Sequence, residues 1–219
     1  YIFIDIDGTL LNSEGKVPES ATQAILKAQE NGHKVFVNTG RSKSGMPTHV
    51  SEMPFDGFVY SAGTVIEIDK EQIFFDAMSA DEIKNLQVLV EDSGLGYSLE
   101  GYQRSFYDDK SEKIFDSLNF MDSKPGTLLH LNHFDHSRDH INKLALFSYH
   151  MHAYDVLRNQ LPEHLSLIVH DKTIHGLYLA EIIKKTSNKA TGVQKVLEHF
   201  GGDKADTICF GDSPNDLDM

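Results

Sequence analysis

The chain has 219 residues, 40% of them apolar, one cysteine, and a net charge of -13 from 20 basic and 33 acidic side chains. This is the composition of a soluble globular protein, and its sign argues against a nucleic-acid or anionic-membrane partner, since both need a basic face. A single cysteine excludes an intrachain disulfide. No run reaches the ~18 apolar residues of a membrane span and no signal peptide precedes the first apolar run, so a cytoplasmic protein is expected.

In chain order, residues 2–6 (IFIDI) read as a short buried strand. Residues 18–31 read as a helix, with Pro18 suited to its first turn and Gly32 as a stop. KVFVN, 34–38, is a second strand, so strand, helix and strand suggest a βαβ unit and a parallel sheet. A short helix around 42–51, a strand at 57–60 and a hairpin over 64–76 follow. From about Ser79 the texture changes. A helix is expected over 80–92, paired strands over 95–107 and a helix over 109–119. Strands are expected at 143–148, 164–169 and 174–183, with a helix near 151–160. The α/β pattern then returns with a helix over 189–199, stopped by Gly201 and Gly202, and a strand over 206–210. The fold class is therefore α/β: a discontinuous Rossmann-like parallel-sheet core, residues 1–78 and 184–219, interrupted by an α+β domain over 79–183.

Two acids close the first strand. Residues two apart on a strand share a face, so Asp5 and Asp7 can point the same way as it ends. Ionised carboxylates at a partly buried strand end are costly unless a cation or hydrogen bonds compensate them. Gly8 permits a tight turn behind them. A second acidic group, Asp212 with Gly211 before it and Asn215 and Asp216 after it, follows the last strand. In a parallel sheet both strands deliver their acids to one carboxyl edge, and clustered oxygen ligands of that kind suit Mg²⁺. At the end of VFVN, the Thr39 hydroxyl and the Gly40 N–H can hold an anionic oxygen. Lys189 opens a helix, where it opposes the helix dipole; an anionic ligand removes that objection.

Together these pieces resemble the haloacid dehalogenase superfamily of phosphatases. Asp5, Asp7, Gly8 and Thr9 match its first motif, Thr39 its second, Lys189 its third, and Gly211, Asp212, Asn215 and Asp216 its fourth. The span from Asp7 to Thr39 holds one helix, whereas that from Thr39 to Lys189 is several times longer. The inserted domain is thus a cap between the second and third motifs, and its texture is similar to the type-IIB cap of the Cof-like subfamily, mostly bacterial. The resemblance implies hydrolysis of a small phosphorylated metabolite, such as a sugar phosphate, through an aspartyl-phosphate. It implies Asp5 as nucleophile and Asp7 as general acid and base. Thr39, Gly40, Lys189 and Asn215 are implied as phosphate ligands. Mg²⁺ is implied on the Asp5 carboxylate, the Asp7 carbonyl and Asp212, with Asp216 better placed to orient Lys189 or a metal-bound water than to bind the metal directly. A phosphomutase of the phosphomannomutase type and a non-catalytic sugar-phosphate sensor are the alternatives.

Two departures accompany the match. Residues 61–63 are Ser-Ala-Gly where the subfamily has Asn-Gly-Ala, and no role is assigned to them. The subfamily also carries further residues after its fourth motif that complete the core sheet; the chain starts without methionine and is expected to be incomplete at both ends. Histidines crowd 130–140, with His150 and His152 nearby, and read as polar cap surface or as groups lining the substrate mouth rather than a zinc site. Tyr97, Tyr102, Phe106 and Tyr107 read as hydrophobic core, and Cys209 as a buried structural thiol. Arg41 has two readings, neutralising substrate phosphate or bracing the cap.

Overall fold

The computed structural model describes residues 1–118, 126–170, 173 and 175–219. Residues 119 and 174, which end and begin two of the expected elements, lie outside the described residues. The chain divides into two compact units, one of residues 1–42, 49–76 and 187–219, the other of 43–48 and 77–186.

The first unit opens with β1 (Ile2–Ile4), α1 (Glu19–Glu30), β2 (Val35–Asn38), a short α2 (Thr48–Ser51), β3 (Gly57–Tyr60), β4 (Val65–Ile68) and β5 (Glu71–Phe75). The second unit follows with α3 (Ala80–Asp92), β6 (Gly96–Gly101), β7 (Ser105–Tyr107), α4 (Asp109–Leu118), β8 (Leu128–His130), β9 (Ile141–Ser148), α5 (His152–Arg158), β10 (Leu165–Val169) and β11 (Tyr178–Lys184). The chain returns to the first unit with α6 (Lys189–Phe200) and β12 (Ile208–Phe210).

The sheet of the first unit has the order β12-β1-β2-β3-β4-β5. β12, β1, β2 and β3 run parallel, and the β4–β5 hairpin adds antiparallel, so the sheet is mixed rather than wholly parallel. Phe3, Phe36, Val59 and Ile66 from the sheet meet Val193, Val196 and Leu197 from α6. The apolar residues of α6 recur at helical spacing, so one face of the helix supplies that contact. A reciprocal cap between Asn188 and Thr191 starts α6, and Gly201, left-handed at φ 64°, ends it. β12 lies at the edge of the sheet among the described residues and exposes Ile208 and Phe210. Cys209 between them is half-buried rather than buried.

The sheet of the second unit has the order β10-β11-β9-β6-β7-β8, antiparallel except for β7 with β8. Ile83, Leu86 and Val90 of α3 and Tyr154 and Leu157 of α5 pack on one face of it, against Leu99, Leu144, Leu146 and Ile182. Tyr97 and Phe106 are in that core, as expected, whereas Tyr102 and Tyr107 are only half-buried. α3 starts at a capping box between Ser79 and Glu82.

The sequence reading differs from the structure at four places. β8 sits in the histidine-rich tract and was not expected; its three residues are too few to show a period. The helix expected around 42–51 shrinks to Thr48–Ser51, because Gly45 and Pro47 keep the preceding residues out of helix. The strand expected from 174 begins at Tyr178, after His175 and Gly176 take positive φ. The first strand ends at Ile4, two residues early, which changes the environment of both acids behind it.

Candidate active site

β1, β2 and β12 are parallel neighbours, so their carboxyl ends open on one edge of the sheet. Asp5 follows β1, Thr39 follows β2, and Gly211 and Asp212 follow β12. Behind Ile4 the chain stays extended at Asp5 and then turns through Gly8 at φ 84°. Asp5 and Asp7 therefore do not share a face as strand alternation predicts. Asp5 is 4% exposed, while the Asp7 side chain is 53% exposed and faces Arg41.

Lys189, the first residue of α6, is 2% exposed. Its Nζ donates to Asp5 Oδ1 at 2.6 Å and to Asp216 Oδ1. The two carboxylates supply the negative charge that a buried lysine at a helix N-terminus needs. Asp216 is fastened from its other oxygen: Oδ2 accepts from Asp212 N at 3.1 Å, Ser213 N at 3.0 Å and Ser213 Oγ at 2.9 Å. Burial opposes the charge of Asp216, but the bonds from Lys189 and Ser213 prevail and hold its carboxyl below the usual value. At Asp5 the balance reverses. Burial pushes its carboxyl up, and the Lys189 ammonium offsets this only in part.

Asp5, Asp212 and Asp216 each offer an oxygen within 4.8 Å of the others, and no other such group of acids, histidines or cysteines occurs among the described residues. The donors are all carboxylate oxygens, the set a hard divalent cation takes. Two glycines allow the approach. A Cβ on Gly8 would overlap the Asp212 carboxylate, and one on Gly211 would overlap the Asp216 side chain. Thr9 Oγ1 donates to Asp212 Oδ1 at 3.4 Å.

Thr39 is buried, and its Oγ1 accepts from Arg41 N at 3.1 Å. Arg41 makes a two-pronged pair with Asp7, Nε to Oδ2 at 2.7 Å and Nη2 to Oδ1 at 2.8 Å. Gly40 is half-buried between them. Asn215 lies in a one-turn helix (Pro214–Asp216), exposed, with its Oδ1 accepting from Ser213 Oγ.

Some members of this arrangement were missed or left unassigned in the sequence. Asn38 is fully buried and its Nδ2 donates to the carbonyl of Lys189 at 2.9 Å. An amide closing the apolar run VFVN was the available signal. Ser213, which anchors Asp216, carried none, since serine in a turn is ordinary. The histidines of 130–140 do not converge: His130 pairs with Asp109 at 2.7 Å and His136 packs edge-on against Phe134. No described helix is long and apolar enough to cross a membrane.

Comparison with known proteins gives the family and the fold. A family described as haloacid dehalogenase-like hydrolase matches residues 2–219. The whole chain is 26% identical to the 5-amino-6-(5-phospho-D-ribitylamino)uracil phosphatase YitU of Bacillus subtilis (strain 168), covering 82% of it. It is also 25% identical to a Streptococcus pyogenes relative whose name joins a phosphatase to a peptidyl-prolyl cis-trans isomerase, and it spans 45% of that longer protein. Among solved structures, the fold is similar to that of a subclass IIB sugar phosphatase, with TM-score 0.81, 22% identity, and coverage of 100% of this chain and 82% of that one.

Proposed function

The chain belongs to the haloacid dehalogenase-like hydrolase family, and from that premise we propose that it is a Mg²⁺-dependent phosphomonoester hydrolase of a small phosphorylated metabolite. The observation that carries the proposal is the meeting of Asp5, Lys189, Asp212 and Asp216 at one sheet edge, beside the Thr39–Arg41 loop.

Asp5 is the nucleophile. Its carboxylate oxygen bonds to phosphorus as the bond from phosphorus to the leaving oxygen breaks, giving an aspartyl-phosphate. Asp7, exposed ahead of the Gly8 turn, gives the leaving oxygen its proton. It then takes a proton from the water that attacks phosphorus, which frees phosphate and restores Asp5. Lys189, the Thr39 hydroxyl, the Gly40 N–H and Asn215 hold the non-bridging oxygens, and Asp216 keeps Lys189 in place. The Asp5 carboxylate, the Asp7 carbonyl and Asp212 would hold Mg²⁺, which supplies positive charge where nucleophile and substrate are both anionic. The 79–183 domain is the cap that selects among leaving groups, with sugar phosphates as the substrate class.

The test is phosphate release from p-nitrophenyl phosphate and a panel of sugar phosphates and nucleotides, with Mg²⁺ and with EDTA. Release that needs the metal and no added activator is expected. Turnover that appears only with a sugar bisphosphate present would replace the proposal by a phosphomutase.

A further inference from the structure

The three residues at which the chain departs from the subfamily pattern are also the longest run of left-handed backbone among the described residues. Ser61, Ala62 and Gly63 take φ of 47°, 52° and 89°. Two of them are not glycine, so the run is strained. Nor does its side chain relieve it, because Ser61 Oγ is buried without a hydrogen-bond partner among the described residues. Strain of this kind persists only where surrounding contacts over-determine it.

The contacts that do so lead to the site. The Ser61 N–H donates to the carbonyl of Arg41 at 2.8 Å, and the Ala62 N–H to the carbonyl of Thr39 at 2.9 Å. Gly63 lies against the start of α6: a Cβ there would overlap the Asn188 carbonyl and stand 3.1 Å from Gly192 N. On the helix side, a Cβ on Gly192 would stand 2.5 Å from Val59 Cγ1 and 3.2 Å from Gly63 Cα. Asn188 and Gly192 flank Lys189 on the first turn of α6. A turn that only closed the β3–β4 hairpin would direct its N–H groups to those two strands. Here two of the three go to the loop after β2, and the third residue seats a helix.

We propose that Ser61–Ala62–Gly63 is the positioning clamp of the phosphoryl-transfer site, fixing the Thr39–Arg41 loop and the Lys189 end of α6 relative to each other. The inference rests on the hydrolase reading above. Thr39 and Lys189 are the groups that must meet the same phosphate, and Arg41 carries the partner of Asp7. The clamp acts through backbone alone, and in this chain the Asn188 carbonyl and a φ of 89° leave no room for a side chain at 63.

Two variants test it, with p-nitrophenyl phosphate turnover, the inhibition constant of orthovanadate and thermal unfolding as readouts. Gly63→Ala pushes α6 off the turn and is expected to lower kcat by about 100-fold, the cost of an ångström-scale misplacement. It should also weaken orthovanadate by about tenfold. Ala62→Gly relieves the strain, so the fold keeps its melting temperature while the looser clamp lowers kcat roughly two- to five-fold. A purely structural turn would show the opposite coupling, with activity per folded molecule unchanged in both variants, as it should be in the remote core control Ile25→Ala. That result overturns the clamp. If Gly63→Ala does not fold, Ala62→Gly decides alone. Failure of the hydrolase reading shows elsewhere, as wild-type turnover that survives Asp5→Asn.

Discussion

Two buried lysines in this chain each sit between two carboxylates, and their surroundings differ. In the second unit Lys143 of β9 lies 3.0 Å from Glu100 on β6 and 3.0 Å from Glu181 on β11. In the first, Lys189 lies between Asp5 and Asp216. Lys143 and Glu100 are directly opposed across neighbouring strands, and Glu181 comes from the strand on the other side. Burial works against the charge of Glu181, yet Lys143 and His170 prevail and hold its carboxyl at about 2. Burial also works against Lys143, and the two glutamates outweigh it and raise its ammonium. In that cluster the lysine is matched by an acid on each neighbouring strand of the sheet that carries it. The Lys189 cluster instead hangs from strand ends and a helix tip. There Asp216 is fully bonded, whereas Asp5 is left with its carboxyl pushed up by burial. The first arrangement is the one expected of a structural cluster; the second, with Asp5 undercompensated beside the further acid Asp212, is the one the proposed hydrolase reading requires.

The sharpest break between the two regions is expected from Asp5→Asn. It should lower turnover by about 10⁴-fold or more while circular dichroism and melting temperature stay close to wild type. The paired lysine variants come next. Lys189→Met should lower kcat by about 10³-fold through lost transition-state charge. Lys143→Met strands two buried glutamates and should cost ~3–5 kcal/mol of unfolding free energy in a urea titration, with kcat per folded molecule retained. If Lys143→Met removed activity from folded protein, the division into structural and functional clusters would be wrong.

Metal should separate the regions too. Saturating Mg²⁺ should stabilise the wild type by about 3 kcal/mol at a hundredfold excess over its dissociation constant, reversed by EDTA. Asp212→Asn should abolish that shift, and Lys143→Met should keep it. The smallest effect is a pH dependence. Glu181 titrates at about 2 in the fold against 4.5 for a free glutamate. A depressed carboxyl stabilises fully above about pH 4.5 and loses that contribution as pH falls through 2. The stability gap between wild type and Glu181→Gln should therefore be constant above pH 5 and close on acidification, as read from urea midpoints.

Most of the sheet of the first unit was legible because its strands are short apolar runs bounded by glycine, proline or a helix of clear period. α1, α3 and α6 were read to within a residue or two for the same reason, and α3 and α6 have caps written in their sequences. β8 was not, since three residues in a polar tract have no period, and neither was the 43–48 excursion, whose grouping with the second unit depends on contacts such as Lys43 with the Tyr102 ring. In the site, Asp5, Lys189, Asp212 and Asp216 could be named from motif and order. The places of Asn38, Ser213 and the Ser61–Gly63 turn could not, because each acts through backbone or through hydrogen bonds to other residues rather than through chemistry visible in its own type. The pairing of Arg41 with Asp7 needed the early end of β1, which turns Asp7 away from Asp5.

The central claim is that Asp5 is phosphorylated and then hydrolysed. The most direct measurement is a rapid-mixing turnover with Mg²⁺ and substrate, quenched into borohydride, followed by mass spectrometry of the peptide that carries residues 1–16. Borohydride reduces an acyl phosphate to an alcohol, so conversion of Asp5 to homoserine, dependent on substrate and metal and absent in Asp5→Asn, is the predicted result. Phosphate release at the wild-type rate with Asp5 unmodified and the label on another residue or on none would contradict the account.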